Sequence, residues 1–104
     1  MLSEAVQVDV CHLDGVVVMR VQGEIDRASA PGVRAALDEI EANQFVTLDC
    51  TLVDFMDSTG LNLFVGFRSR VHEHHGSVRI LPSSVIRRLI EVAGLAGVFE
   101  LEAA

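Results

Sequence analysis

The chain has 104 residues, with 15 acidic and 8 basic side chains, a net charge of −7, and 50% hydrophobic residues. That length suits one domain around one core, and the apolar share suits a packed fold rather than a disordered one. The negative charge speaks against nucleic acid and against an anionic membrane surface, both of which recruit Lys and Arg; the expected partner is basic or apolar.

Val6, Val8 and Val10 alternate with Gln7 and Asp9, the period of a half-buried strand. Asp14-Gly15 tolerates the positive φ of a tight hairpin turn, and a second strand follows from Val16 to about Gln22, with Val17, Met19 and Val21 on one face. Ser29 is placed to cap a helix whose first turn accommodates Pro31. Val33, Ala36, Leu37 and Ile40 continue it at helical spacing, and Asn43 suits a left-handed stop. Phe45 to Cys50 reads as a central third strand. After Thr51 to Gly60 a long helix is expected to run to about His75 and end at Gly76. Ser77 to Leu81 is a fourth strand. Ser83 or Ser84 caps a third helix carrying Ile86, Leu89, Ile90 and Ala93, closed by Gly94. Val98 to Leu101 is a short last strand or a helical turn.

The order is ββαβαβα with a possible final strand. Strand–helix–strand units force parallel neighbours and right-handed crossovers, while the opening hairpin adds an antiparallel strand. The expected fold is α/β: a mixed sheet of four to five strands with three to four helices on one side.

The longest unbroken apolar stretch, Val16-Val17-Val18-Met19, falls far short of the ~20 residues of a membrane span. Met1-Leu2-Ser3-Glu4 does not open like a secretory signal. Cys11 and Cys50 stand in apolar runs and are expected as small buried thiols in a reducing cytoplasm; two cysteines make neither a disulfide framework nor a zinc site.

Chemistry concentrates in Asp54-Phe55-Met56-Asp57-Ser58-Thr59-Gly60-Leu61, which sets two carboxylates and two hydroxyls at the entry to the long helix. A hydroxyl there is ordinarily a cap, but one cap does not account for Ser58 and Thr59 together beside Asp57. Gly60 in a first turn is costly relative to Ala and lets another surface approach the backbone. Asp57-Ser58-Thr59-Gly60-Leu61 after a strand resembles the phosphorylation loop of bacterial anti-sigma factor antagonists, the STAS-domain family. Gly23-Glu24-Ile25-Asp26, Ser29-Ala30-Pro31, Gly76-Ser77-Val78 and Val92-Ala93-Gly94-Leu95 follow the same family in order and spacing, so the resemblance spans nearly the whole chain, 1–104, as one STAS domain. Asn62, where the family often has a small residue, and Asp49-Cys50-Thr51 at the end of the third strand depart from it.

The resemblance implies a switch protein and not an enzyme. Unphosphorylated, such a protein binds an anti-sigma factor that is also a serine kinase, and so frees the sigma factor. Phosphorylation of the serine after the Asp, here Ser58 and less readily Thr59, dissociates the complex, and a serine phosphatase restores it. Asp26 and Asp57 would flank the acceptor. The phosphate is expected to meet free N–H groups at the helix start, and to release the partner without refolding the domain.

On the long helix, Leu63, Phe64, Phe67 and Val71 form a core stripe, while Leu61, Val65, Arg68 and His72 form a second one turned away from it. That stripe is either a wide core face or, with Asp26, Asp57, Thr59 and Gly60, a partner surface in which Leu61 and Val65 give contact area and Arg68 an ion pair. His72-Glu73-His74-His75 suits a helix C-terminus and not a metal site; no residues call for a metal or a cofactor. Arg87-Arg88 beside Glu91, and Glu39 with Glu41, read as solvated helix faces. Two other functions compete with the switch: a STAS scaffold module in a larger sensory assembly, and an enzyme with Ser58 as nucleophile, for which His12 is an unsupported candidate base.

Overall fold

The computed structural model describes residues 6–101. Strands β1 (Val6–Leu13) and β2 (Val16–Ile25) form the hairpin, followed by α1 (Ala30–Asp38), β3 (Phe45–Met56), α2 (Ser58–Glu73), β4 (Ser77–Pro82), α3 (Ser84–Val92) and β5 (Glu100–Leu101). The five strands lie in chain order, β1 antiparallel to β2 and the remaining neighbours parallel. The expected architecture is the observed one, with the last segment resolved as a strand.

Asp14 and Gly15 both take positive φ, 50° and 82°, as a two-residue hairpin turn of the type I′ class requires. Each parallel neighbour is joined through one helix, and the right-handed rule for such crossovers carries all three helices to one face. Beneath them lie Val17, Met19 and Val21 of β2, Val46, Leu48 and Cys50 of β3, and Val78 and Ile80 of β4, all buried. The helices answer with Val33 and Leu37, with Phe64, Phe67 and Val71, and with Ile86 and Ile90. Leu63 is only half-buried, at the edge of the core.

Among the described residues, no helix lies over the opposite face of the sheet. Pairing with Val18, Cys11 falls on that outer face and is exposed, whereas Cys50 is buried and its thiol is pushed up to about 12 by loss of solvent. The expectation of two buried thiols therefore fails for Cys11: its strand has two unlike faces, and apolar neighbours in sequence occupy the other one. Arg20 and Asp49 form an ion pair at 3.5 Å on this outer face.

β3 outlasts its predicted end by six residues, reaching Met56. Two bulges carry it there. Arg20 pairs with Asp49 and Gln22 with Leu52, then Gly23 with Val53 and Glu24 with Phe55, so β3 holds one extra residue at each step.

Helix ends also depart from expectation. α1 stops at Asp38, and Asn43 is not among the described residues with positive φ. Arg70 of α2 meets one of the last carbonyls of α1, donating to Leu37 O at 2.9 Å, and reaches just past the helix to Ile40 O at 3.3 Å. In α3, Ser83 is the cap, its hydroxyl accepting from Ile86 N, and Gly94 closes the helix with φ of 74°. After α2 the left-handed residue is His75, at φ 67°, and not Gly76. Gly76 is required for space: a Cβ there would lie 2.3 Å from Gln44 O and 2.6 Å from Ala42 O.

Because those contacts are backbone, Gly76→Ala is expected to lower stability by ~1–3 kcal/mol or more. Gly76→Asn should cost at least as much, whereas a left-handed stop would tolerate Asn. Urea-unfolding midpoints of the two variants distinguish the cases.

Candidate functional site

Ile25 pairs with Met56, so the parallel strands β2 and β3 end at the same level, and the residues just beyond them are Asp26 and Asp57. The Asp57 N–H donates to Ile25 O at 3.2 Å and ties the two loops together. Functional groups gather at such carboxyl ends of parallel strands, where helices begin.

Each aspartate organises the loop after its strand. Asp57 takes extended backbone at the N-cap of α2, and its carboxylate accepts from Thr59 N at 2.9 Å and Gly60 N at 3.4 Å. Asp26 accepts from Ala28 N and Ser29 N, both at 2.9 Å. Ser29 occupies the N-cap position of α1, but its hydroxyl makes no capping bond. Instead the buried hydroxyl donates to Glu24 O at 2.8 Å and accepts from Asp26 N at 2.9 Å, which cross-braces the end of β2. The expected side-chain cap by Ser29 is therefore absent: the first helical N–H, that of Ala30, donates to the Asp26 carbonyl oxygen at 2.8 Å. The Asp26 carboxylate closes the turn ahead of the helix, and the Ser29 N–H holds it below its ordinary value of 3.8.

With Asp57 as the cap, the two hydroxyls are released from that duty. Ser58 is the first residue of α2 and is exposed, and no hydrogen bond of its hydroxyl is found among the described residues. Thr59 is half-buried and borders a groove of about 520 Å³ between α1 and α2, with Asn62, Leu63 and Gly66 on one wall and Arg34 and Leu37 on the other. The N–H groups of Thr59 and Gly60, expected to be free for a phosphate, are already taken by Asp57.

Gly60 and Leu61 do not belong to an open surface. A Cβ on Gly60 would lie 2.6 Å from Met56 Cγ and 2.7 Å from Ile25 Cγ2, so the surface that approaches this glycine is the end of the protein's own sheet. Leu61 is 7% exposed and packs in the core, because α2 settles closely enough to bury the side of its first turn that carries Gly60 and Leu61. Of the expected second stripe, Val65 and Arg68 are half-buried and His72 is exposed. These lie on the flank of α2 away from the groove that Thr59 borders. His12 pairs with Val17 at the start of β2, the opposite end of that strand from Ser58, and is no base for it. Among the described residues, no three His, Cys, Asp or Glu side chains gather as a metal site would need, and no helix is long and apolar enough to cross a membrane.

The STAS domain family model matches residues 7–104, and the chain belongs to that family. It is 37% identical over 97 residues to an anti-sigma-B factor antagonist of Listeria monocytogenes, covering 90% of this chain and 82% of the relative. Among solved structures, an anti-sigma factor antagonist from Mycobacterium paratuberculosis superposes with a TM-score of 0.84 at 28% identity, covering 95% of this chain and 86% of that one. SpoIIAA of Bacillus, determined in its phosphorylated form, shares the fold with a TM-score of 0.70 at 24% identity, covering 95% and 92%.

Sequence reasoning located the loop and its acids but missed the cross-brace by Ser29 and the clamp by Arg70. The Ser29 bond joins residues five apart through a backbone carbonyl, and the Arg70 bonds span thirty or more positions. Neither leaves a periodic trace.

Asp57→Ala should cost ~1 kcal/mol as a lost cap, while Ser58→Ala should stay within about 0.5 kcal/mol of the parent. Equal losses in urea unfolding would return the capping role to Ser58. For Asp26, the depressed carboxylate stabilises the fold above its ordinary value of 3.8 and loses that contribution as pH falls through the lower folded value. Asp26→Asn should therefore be less stable than the parent at neutral pH, with the gap narrowing below pH 3.8 in urea midpoints measured along a pH series.

Proposed function

We propose that this chain is an anti-sigma factor antagonist, a single STAS domain over 1–104 that works in the cytoplasm by partner switching. Unphosphorylated, it binds an anti-sigma factor with serine kinase activity and so frees the sigma factor. That kinase passes the terminal phosphoryl group of ATP to Ser58 Oγ, and the complex dissociates. A serine phosphatase hydrolyses the ester and resets the switch. The chain's part is to bind and to be modified; the kinase and the phosphatase supply the catalysis.

The observation that carries this reading is the division of labour at the start of α2: Asp57 caps the helix, leaving Ser58 exposed with its hydroxyl uncommitted. The names of the relatives and the phosphorylated form of SpoIIAA point the same way. A phosphate on Ser58 adds about −1.5 to −2 charges beside the Asp57 carboxylate. Because Asp57 already holds the Thr59 and Gly60 N–H groups, the phosphate gains little from the helix end and stands as surface charge. In solvent its repulsion is modest, but against a desolvating partner it is severe. Release therefore follows without refolding. Asp26 and Asp57 present the acceptor, and Thr59, Val65 and Arg68 are proposed to border the partner's footprint. Gly60 and Leu61 serve that surface only from within, by holding α2 against the sheet.

The test is a paired capture from native lysate with Ser58→Ala and Ser58→Asp baits, read by mass spectrometry. An ATPase of the histidine-kinase-like fold is expected on the Ala form and not on the Asp form. The same proteins on both baits would favour a scaffold module, and turnover of a small ester by the parent but not by Ser58→Ala would favour an enzyme. Arg68→Glu should weaken the captured partner about 10-fold, as loss of an interfacial charge pair does, with an unchanged melting temperature. A large fall in melting temperature would place Arg68 in the fold.

A further inference from the structure

We propose that Leu52 and Phe55, on the outer face of the sheet and rimmed by Glu24 and Asp54, form an apolar seat for a segment of the anti-sigma factor that carries a basic side chain. The proposal rests on the reading of the chain as an anti-sigma factor antagonist and adds to its footprint a patch on the face of the sheet opposite the helices.

The seat is made by the two bulges of β3. Residues three apart on a regular strand point to opposite faces. The extra residue between Leu52 and Phe55 sets both opposite outward-facing positions of β2, Gln22 and Glu24. Leu52 is 54% exposed and Phe55 45%, while Val53 and Met56 on the other face are 1% and 5% exposed. A regular strand here would bury one of the pair; the bulges, which commonly re-aim side chains beside functional sites, expose both.

No helix among the described residues covers this pair. The pairing of β4 with β3 stops at Cys50 and Pro82, so β3 runs on beyond it, and the helices lie on the opposite face. Phe55 stands three residues before Ser58, and Met56 beside it pairs with Ile25, whose carbonyl holds the Asp57 N–H. A partner reading Ser58 therefore stands over this end of the sheet.

Charge sets the chemistry of the occupant. Glu24 lies opposite Phe55, and Asp54 is the extra residue of the second bulge. Both are exposed, and neither has an ion-pair partner among the described residues. Asp26 and Asp57 follow just beyond, and Arg20 is engaged with Asp49. An occupant must bring apolar area and positive charge together. A second copy meeting this patch about a two-fold axis would set its own Glu24 and Asp54 against these.

The experiment uses the purified anti-sigma factor retained by the Ser58→Ala bait, titrated calorimetrically with the full chain at low and raised salt. Leu52→Ala/Phe55→Ala should weaken binding at least about 10-fold, with an unchanged melting temperature. Glu24→Gln/Asp54→Asn should weaken it less and flatten its salt dependence. Binding of the Leu52→Ala/Phe55→Ala chain within about twofold of the parent overturns the seat, as does a parent dimer in sedimentation that the same substitutions dissolve. If Ser58→Asp releases the partner while Leu52→Ala/Phe55→Ala does not, the switch stands and the seat falls. If the parent binds no anti-sigma factor, both fall.

Discussion

The close approach of α2 to the ends of β2 and β3 is the constraint on which this protein turns. Gly60 leaves no Cβ between the helix and the side chains of Ile25 and Met56, and one peptide N–H, that of Asp57, reaches across to the carbonyl of Ile25. The first turn of α2 is thereby seated on the sheet rather than hung from a loop. Ser58 stands at the margin of this corner, exposed on the first turn of the helix. Leu61 follows from the same geometry: a helix seated this low has no choice but to bury its fourth residue.

Two aspartates share one device. Asp26 and Asp57 each accept from two backbone N–H groups just after a strand, Asp26 in the turn before α1 and Asp57 as the cap of α2. Ser29, buried, spends its freedom on bracing the chain; Ser58, exposed, keeps its own. The contrast separates a bracing serine from an uncommitted one by solvent access alone. Equivalent local sequence, an acid close before a hydroxyl at a helix start, gives opposite outcomes because one loop lies against the core and the other at its rim.

Most of the architecture was legible because it is written in periods. The alternation of Val17, Met19 and Val21, the Asp14-Gly15 turn and the helical repeat of Ile86, Leu89 and Ile90 each report one element, and together they dictate the order of strands and helices. The loop with Ser58 was legible as a motif. What escaped was set by exceptions to period. Two bulges prolonged β3 through residues that break alternation, and so hid Leu52 and Phe55 as a pair. Cys11 was misplaced because an apolar run on a strand with one bare face does not say which side a residue takes. Gly76 was read only as the end of the long helix, since the sequence shows a glycine there and not the carbonyls of Ala42 and Gln44 that crowd it.

The five strands lie side by side in the order in which they occur along the chain. No strand has to be threaded between two that are already paired, and every parallel neighbour is reached by a single helical crossover. The sheet is able to grow outward from the β1–β2 hairpin one unit at a time, with each loop closed over a short separation before the next is begun. Low separations of this kind speed folding relative to sheets whose central strands arrive last. The seat of α2 on β2 and β3 is complete once three strands and two helices are in place, so the corner that bears Ser58 is able to form before the last third of the sequence has found its position.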